Sequence, residues 1–461
     1  MYKYCDIHIH PTLKPYNSIA NSHRRNAENT SLNFRRADFE KIKKSNSKLV
    51  WAALYPFEQG WFVKPNREKA DTKNYKEGKK YLSSNPLWQF FTIAQRIETI
   101  ISPDYNYFNE LLGEYDFLEK EIKKHSDNTS EFVLPLYKNQ LTGALSSNDK
   151  IIVIPTIEGS HALLNGNYYS IYENKIKYEQ VHHNIDILKN KGSNKRRMIF
   201  SITFSHHFNN GLGGHAKSLY KLKKLTDQSY GKGDPISKEG WKVIKHLLAI
   251  DQYKNHGYRI LIDTKHMSKA ARMEYYSFLN DYNRDKNDEE KIPVISSHSA
   301  YAGVKSIYHI GNYSGQFCNY EVNLADDELI YIYKNNGILG LNMDQAVLGY
   351  NENPRGSTEL IADNILAMAE VLANEFDNAK IWDIFALGSD FDGYINPVDK
   401  YDDITKYQIL EKDLTKYFEN SILFDKLSYG LSPSEVVEKI MGKNAIEFTV
   451  KNYPHTDSPI A

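Results

Sequence analysis

Eight short runs rich in Ile, Val and Leu, each closing on polar residues, punctuate the chain: 2–10, 48–56, 151–159, 198–207, 258–266, 293–299, 337–344 and 384–393. Runs apolar at nearly every position suit strands buried on both faces, as in a parallel sheet. Helical patterns lie between them, at 235–257, 268–282, 357–377 and 432–453. The last opens with a capping box, Ser432 with Glu435, and has Pro433 at its first helical position. Eight strands alternating with helices predict an α/β fold, a (β/α)8 TIM barrel, with residues 1–461 as one catalytic domain. Residues 57–150 are too long for one crossover and carry two helical patterns, near 87–101 and 107–125. They read as a helical insertion after strand two, suited to a lid or a dimer surface as much as to plain packing.

The polar residues that close the strands are not a random set. Strand one ends in His8 and His10, strand three in Glu158, strand four in His206, strand five in His266, strand six in His298 and strand eight in Asp390. The C-terminal ends of barrel strands surround one mouth, where active sites form. Residues i and i+2 of a strand share a side, so Asp6, His8 and His10 face one way and Ile7 and Ile9 the other. His8 and His10 can then grip one metal ion, with Asp6 deeper and able to orient a ligand from behind. A lone strand-end histidine is more often a hydrogen-bonded core residue than a ligand. The whole set of imidazoles and carboxylates at one mouth points to a metal centre. Periodicity leaves open which of His206 and His207 faces inward. His161, His215 and Asp392 are candidates for supporting the ligands from behind or from loops. His23, His125, His182, His183, His246, His256 and His455 read as surface or helix residues.

Lys+Arg and Asp+Glu balance at 58 each, which disfavours a nucleic-acid partner or a polybasic membrane surface. No apolar run approaches the ~20 residues of a membrane span. There is no basic start followed by an apolar stretch. With only Cys5 and Cys318, no disulfide framework or zinc knuckle is implied. A soluble, cytoplasmic protein acting on a small molecule is the expectation.

The segments "DIHIH", "IEGSHAL", "ITFSHHFNN", "LIDTKHMS", "PVISSHSAY" and "ALGSDFDG", with the closing "LSPSEVVEKIMGKNAIEF", resemble the renal (membrane) dipeptidase family, peptidase family M19, of the metal-dependent amidohydrolases. They occur in the family's order over nearly the whole chain. The resemblance implies a dipeptidase with two divalent ions, zinc being the expected metal, that share a hydroxide as nucleophile. It places His8 and His10 on one ion, Glu158 between both, and His266 and His298 on the second. It gives His206 the substrate's carbonyl and Asp390 the proton transfers. Family members often dimerise, and a homodimer is carried over from that habit alone.

Two departures from the family's pattern bear on substrate. The family has His-x-Asp in its first motif, and here position 10 is His. An imidazole for a carboxylate makes the centre more positive by about one charge, which sharpens its Lewis acidity. The family also carries an Arg soon after the sixth-strand histidine, which grips the substrate's terminal carboxylate. Here "AYAGVKSIYHIGNYSGQ" contains none, and Lys305 or His309 would have to substitute without Arg's planar fork. Three other readings follow: an amidohydrolase for a different C–N bond (an acylated amine or cyclic amide), a TatD-like phosphoesterase, which also opens with Asp-x-His-x-His, and a non-catalytic binding protein.

Overall fold

The computed structural model describes residues 3–17, 35–63, 90–190, 196–220, 226–310, 317–349, 358–393 and 395–455. Among the described residues there are nine strands: β1 (Tyr4–Ile9), β2 (Ser47–Leu54), β3 (Glu131–Val133), β4 (Lys150–Glu158), β5 (Ser201–Thr203), β6 (Leu261–Asp263), β7 (Ile295–Ser299), β8 (Ile338–Leu341) and β9 (Phe385–Leu387). All ladders are parallel, in the order β1-β2-β4-β5-β6-β7-β8-β9. The ring closes beyond β9. Ile9 bridges Phe391, His10 N–H donates to Phe391 O at 2.9 Å, and Asp390 N–H donates to His8 O at 2.9 Å. This is the eight-stranded barrel that the apolar runs predict. β3 is an addition that pairs with the first half of β4.

Two barrel strands are shorter than their apolar runs, for local reasons. β5 faces Pro155 of β4, whose carbonyl accepts Phe200 N–H at 2.9 Å but which has no N–H to return. Past β6, the Asp263 carboxylate accepts Lys265 N–H at 3.0 Å and His266 takes a left-handed φ of 64°, which ends the extended chain. Inside the ring, Gly340 of β8 and Gly388 after β9 flank Ser297 of β7. A Cβ on either would lie 1.8 Å from the Ser297 carbonyl oxygen, so only glycine lets the three strands close in beside His298.

The helices stop and start where the sequence signals stand. Ser268 caps Lys269–Asn283 by accepting Ala271 N–H, and Ser432 with Glu435 makes the capping box of Pro433–Glu438. The 235–257 pattern yields the shorter helix Lys238–Leu247, capped by Ser237.

Between β2 and β4 lie helices Phe90–Ile101, Tyr107–His125 and Lys138–Leu145; residues 87–89 of the helical pattern near 87–101 fall outside the described residues. Glu114 of the second helix is fully buried. It accepts Tyr55 N–H and the Thr12 hydroxyl, both at 2.8 Å. Gln59 N–H donates to Tyr107 Oη at 3.1 Å, and Gln59 Nε2 to Ile100 O. The segment that leaves β2 is thus pinned from the helix side, which fixes where Glu58 points.

Candidate metal centre at the barrel mouth

The end of each strand delivers its polar residue to one place. Glu158, at the last position of β4, is the hub. Its Oε1 lies 3.4 Å from His8 Nε2, 3.4 Å from His206 Nε2, 3.7 Å from His266 Nε2 and 3.5 Å from His298 Nε2. Its Oε2 lies 3.4 Å from His10 Nε2. The rings also face each other: His8 and His10 Nε2 are 3.2 Å apart, and His266 and His298 Nε2 are 3.1 Å apart. Asp390 Oδ1 stands 3.5 Å from His10 Nε2 and 4.0 Å from His8 Nε2. Asp390 and His266 both have left-handed φ, 61° and 64°, as does Asp392 at 70°. Non-glycine residues in that region cost free energy and collect where function demands a particular side-chain aim.

The tautomers can be read from the hydrogen bonds behind two of the rings. Ser297 Oγ donates its single proton to Asp263 Oδ2 at 2.5 Å, and Thr203 Oγ1 donates to the same oxygen at 2.8 Å. The Ser297 lone pairs are then left to accept from His298 Nδ1 at 2.9 Å and His8 Nδ1 at 3.2 Å. With Nδ1 protonated, both rings turn an Nε2 lone pair toward Glu158. Facing lone pairs around one carboxylate are what a cation satisfies, and imidazole with carboxylate is a donor set that suits zinc. The residues present fit a divalent metal centre.

The electrostatics agree with ligand-ready histidines. Burial holds His266 and His298 well below the usual imidazole range, with neighbouring cationic side chains adding to it. Burial opposes ionisation of Glu158, yet His206 and His10 keep its carboxyl well below the usual range.

His206 is the ring that faces in. Its other nitrogen, Nδ1, meets Glu58 Oε2 at 2.6 Å. Burial alone would raise the Glu58 carboxyl, but His206 and His161 outweigh it and hold it down to about 2. In return, Glu158 and Glu58 overcome burial and lift His206 to about 10. His207 turns to Ser218 Oγ at 2.8 Å and lines the cavity above.

The supporting residues divide. Asp6 accepts His8 N–H and Ser389 N–H, each at 3.0 Å, the Ser389 hydroxyl at 2.5 Å, and the Tyr407 hydroxyl. It holds the backbones of β1 and the β9 turn; the imidazole of His8 is oriented by Ser297. His161 Nε2 donates to Pro56 O at 2.7 Å, behind Glu58. Asp392 accepts Lys14 Nζ at 2.6 Å and Ala37 N–H at 2.9 Å, away from the cluster. His215 bonds to the carbonyls of Ala216 and Tyr230. Lys305 is exposed and, like His309, is not among the residues that line the cavity. Three residues outside the strand-end set matter here: Glu58, Asp263 and Ser297. Glu58 and Asp263 carry a signal, an acid at or just past a strand end; Ser297 carries none beyond its place before His298.

A cavity of about 280 Å³ opens over the cluster, lined by Glu158, His206, His266, His298, Asp390 and Lys265 among others. Burial holds the Lys265 ammonium down to about 8. No described helix is long and apolar enough to cross a membrane.

The family model described as membrane dipeptidase (peptidase family M19) matches residues 195–427, just over half of the chain. The match takes in His206, His266, His298 and Asp390. Among curated proteins none matches. Solved structures align over nearly the whole chain. The dipeptidase AC, a metallo peptidase of family M19, is 14% identical, with 98% of each chain covered and a TM-score of 0.55. A metallo peptidase from Rhodobacter sphaeroides, liganded with a phosphinate mimic of the dipeptide L-Ala-D-Ala, is 13% identical, with 98% of this chain and 99% of that chain covered and a TM-score of 0.55. The probable dipeptidase PvdM from Pseudomonas aeruginosa is 12% identical, with 98% and 95% covered and a TM-score of 0.58. At these identities the structures speak for the fold.

Proposed function

The chain belongs to the membrane dipeptidase family, peptidase family M19, whose enzymes are metal-dependent hydrolases, and on that premise we propose that it cleaves the peptide bond of a dipeptide at a centre of two divalent ions. The observation that carries this reading is Glu158, whose two oxygens sit among five imidazole nitrogens at 3.4–3.7 Å. His8 and His10 would hold one ion, His266 and His298 the other, and Glu158 would span both. Zinc is the ion we assign. Such ions polarise a carbonyl and bring the pKa of water from 15.7 to about 7.

The chain's own groups supply the rest. His206, kept protonated between Glu58 and Glu158, presents a cationic N–H to the oxygen of the scissile carbonyl as negative charge develops there. Asp390, beside His10, accepts the proton of the attacking water and returns it to the leaving nitrogen. Acid–base help of this kind contributes about 10²–10⁴-fold.

The test is a mass-spectrometric screen of mixed L-L and L-D dipeptides with zinc-reconstituted protein, alongside Asp390→Asn of equal metal content. Cleavage by the wild type that collapses in the variant supports the assignment. Undiminished turnover by the variant removes Asp390 from the chemistry. No cleavage by a protein holding two ions moves the substrate to another class. A second reading, hydrolysis of a different C–N bond, draws on the absence of an Arg from the stretch 300–316 that directly follows His298. Hydrolysis confined to substrates without a free carboxylate would favour it.

A further inference from the structure

Lys265 lines the cavity one residue before His266, where β6 gives way to its loop. Its side chain is buried, 3% exposed. An ammonium carries three donors. Among the described residues, Val322 O accepts one at 3.1 Å, and no carboxylate forms an ion pair with it. Buried charges are normally paired, because desolvating an unpaired one is costly. A cation left unpaired in the wall of a cavity is therefore placed for an anion that arrives in the cavity.

The position narrows which anion. In a dipeptide a single residue separates the scissile carbonyl from the terminal carboxylate, no more than about 3.8 Å of chain. Whatever grips that carboxylate must stand directly beside the residues that surround the carbonyl. Lys265 is bonded to His266 and shares the cavity with Glu158, His298 and Asp390. Lys305 and His309, the first cationic side chains after His298 in sequence, are exposed and do not line it. Tyr220 and Tyr320 line the same cavity and stack with ring centroids 3.9 Å apart and planes 12° from parallel, a flat wall beside Val322 that suits an uncharged side chain.

We propose that Lys265 is the carboxylate anchor of this site: it takes the free α-carboxylate of the substrate's C-terminal residue through charge-assisted hydrogen bonds. The assignment rests on the dipeptidase reading and narrows it to substrates that end in a free carboxylate next to the cleaved bond. It also supplies a cation where the stretch directly after His298, residues 300–316, carries no Arg.

The experiment compares a dipeptide with its C-terminal amide, on the wild type and on Lys265→Met and Lys265→Arg at equal metal content. A charge-assisted hydrogen bond lost sets the expected preference of the wild type for the free carboxylate at about 10- to 100-fold in kcat/KM. In Lys265→Met that ratio falls to near one through KM, with kcat for the dipeptide within a few-fold, and Lys265→Arg restores part of it. Calorimetry with a phosphinate mimic of a dipeptide and the amide of that mimic reads the same ratio without turnover. Met fills the volume of the Lys stem, so the variant keeps the packing; a purely structural Lys265 would shift melting temperature or metal content and leave the ratio intact. A wild type that cleaves no dipeptide removes the dipeptidase reading and this assignment together. A wild type that cleaves dipeptides, with a preference that survives in Lys265→Met, removes Lys265 alone.

Discussion

Glu58 Oε2 lies 2.6 Å from Nδ1 of His206, and the other oxygen of the same carboxylate accepts Phe208 N–H at 3.1 Å. One acid from the segment after β2 thus helps Glu158 sustain the charge of the His206 ring and also fixes the course of the backbone that follows it. Glu58→Gln keeps an acceptor but removes the negative charge that sustains the imidazolium. We expect kcat to fall by about 10- to 100-fold, the worth of a charge-assisted hydrogen bond, with metal content unchanged. Steady-state kinetics with metal analysis on the same preparation checks this; an unchanged kcat would show that His206 works without its partner.

Ser297 is the shared acceptor behind His8 and His298. Ser297→Ala leaves both Nδ1 protons without that acceptor and frees the rings to rotate or switch tautomer. Changes behind a ligand of this kind lower metal affinity by about 10–100-fold. Competition against a chromogenic chelator measures it. Equal affinity in wild type and variant would mean that strand geometry alone orients the rings.

Removing the metal should loosen the whole barrel, because the cluster ties β1, β4, β5, β6, β7 and the turn after β9 to one point. A ligand at about 1,000 times its Kd stabilises the folded state by about 4.1 kcal/mol. Chelated protein should therefore melt several degrees lower, and zinc added back should restore the transition. Identical melting curves with and without metal would contradict a centre formed from these strands.

Lys189 offers a pH test away from the cluster. It is buried, its ammonium donates to His246 O, and burial holds it down to about 7 although Asp186 pulls the other way. The unfolded chain titrates near 10.4. A base whose folded pKa is depressed destabilises the fold increasingly as pH falls from about 10.4 to about 7, and by a constant amount below that. Lys189→Met should therefore exceed the wild type in stability near pH 6 by on the order of 2–4 kcal/mol, with the gap closing as pH rises toward 9. Denaturant midpoints across that range read the slope. A gap that widened with pH would reverse the sign and the argument.

The barrel was legible because its strands are buried on both faces and so are apolar throughout, and because the mouth residues close those runs. His8, His10, Glu158, His206, His266, His298 and Asp390 all announce themselves in that way, and the structure brings them together. What the sequence hides is whatever acts across elements. Glu58 reaches His206 only because Tyr107 and Glu114, both on the helix Tyr107–His125 within 57–150, pin the segment after β2. Lys305, close to His298 along the chain, lies exposed where the chain turns toward Asp327, which accepts Ile307 N–H at 3.0 Å. Linear spacing carries strand register well and carries loop paths poorly, since the latter are set by partners far away in sequence.

The seam where β1 meets the chain beyond β9 has a consequence for the order of assembly. His8 and His10 emerge first from the ribosome, yet their backbones are held in place by Asp390 and Phe391. The two imidazoles are thus synthesised early and oriented late. Contacts so distant along the chain form slowly, because a large loop must close before they stabilise anything. A half-made chain has the first ligands without the scaffold that aims them, so capture of the ion follows closure of the ring, and a loaded centre reports that the last strand has arrived.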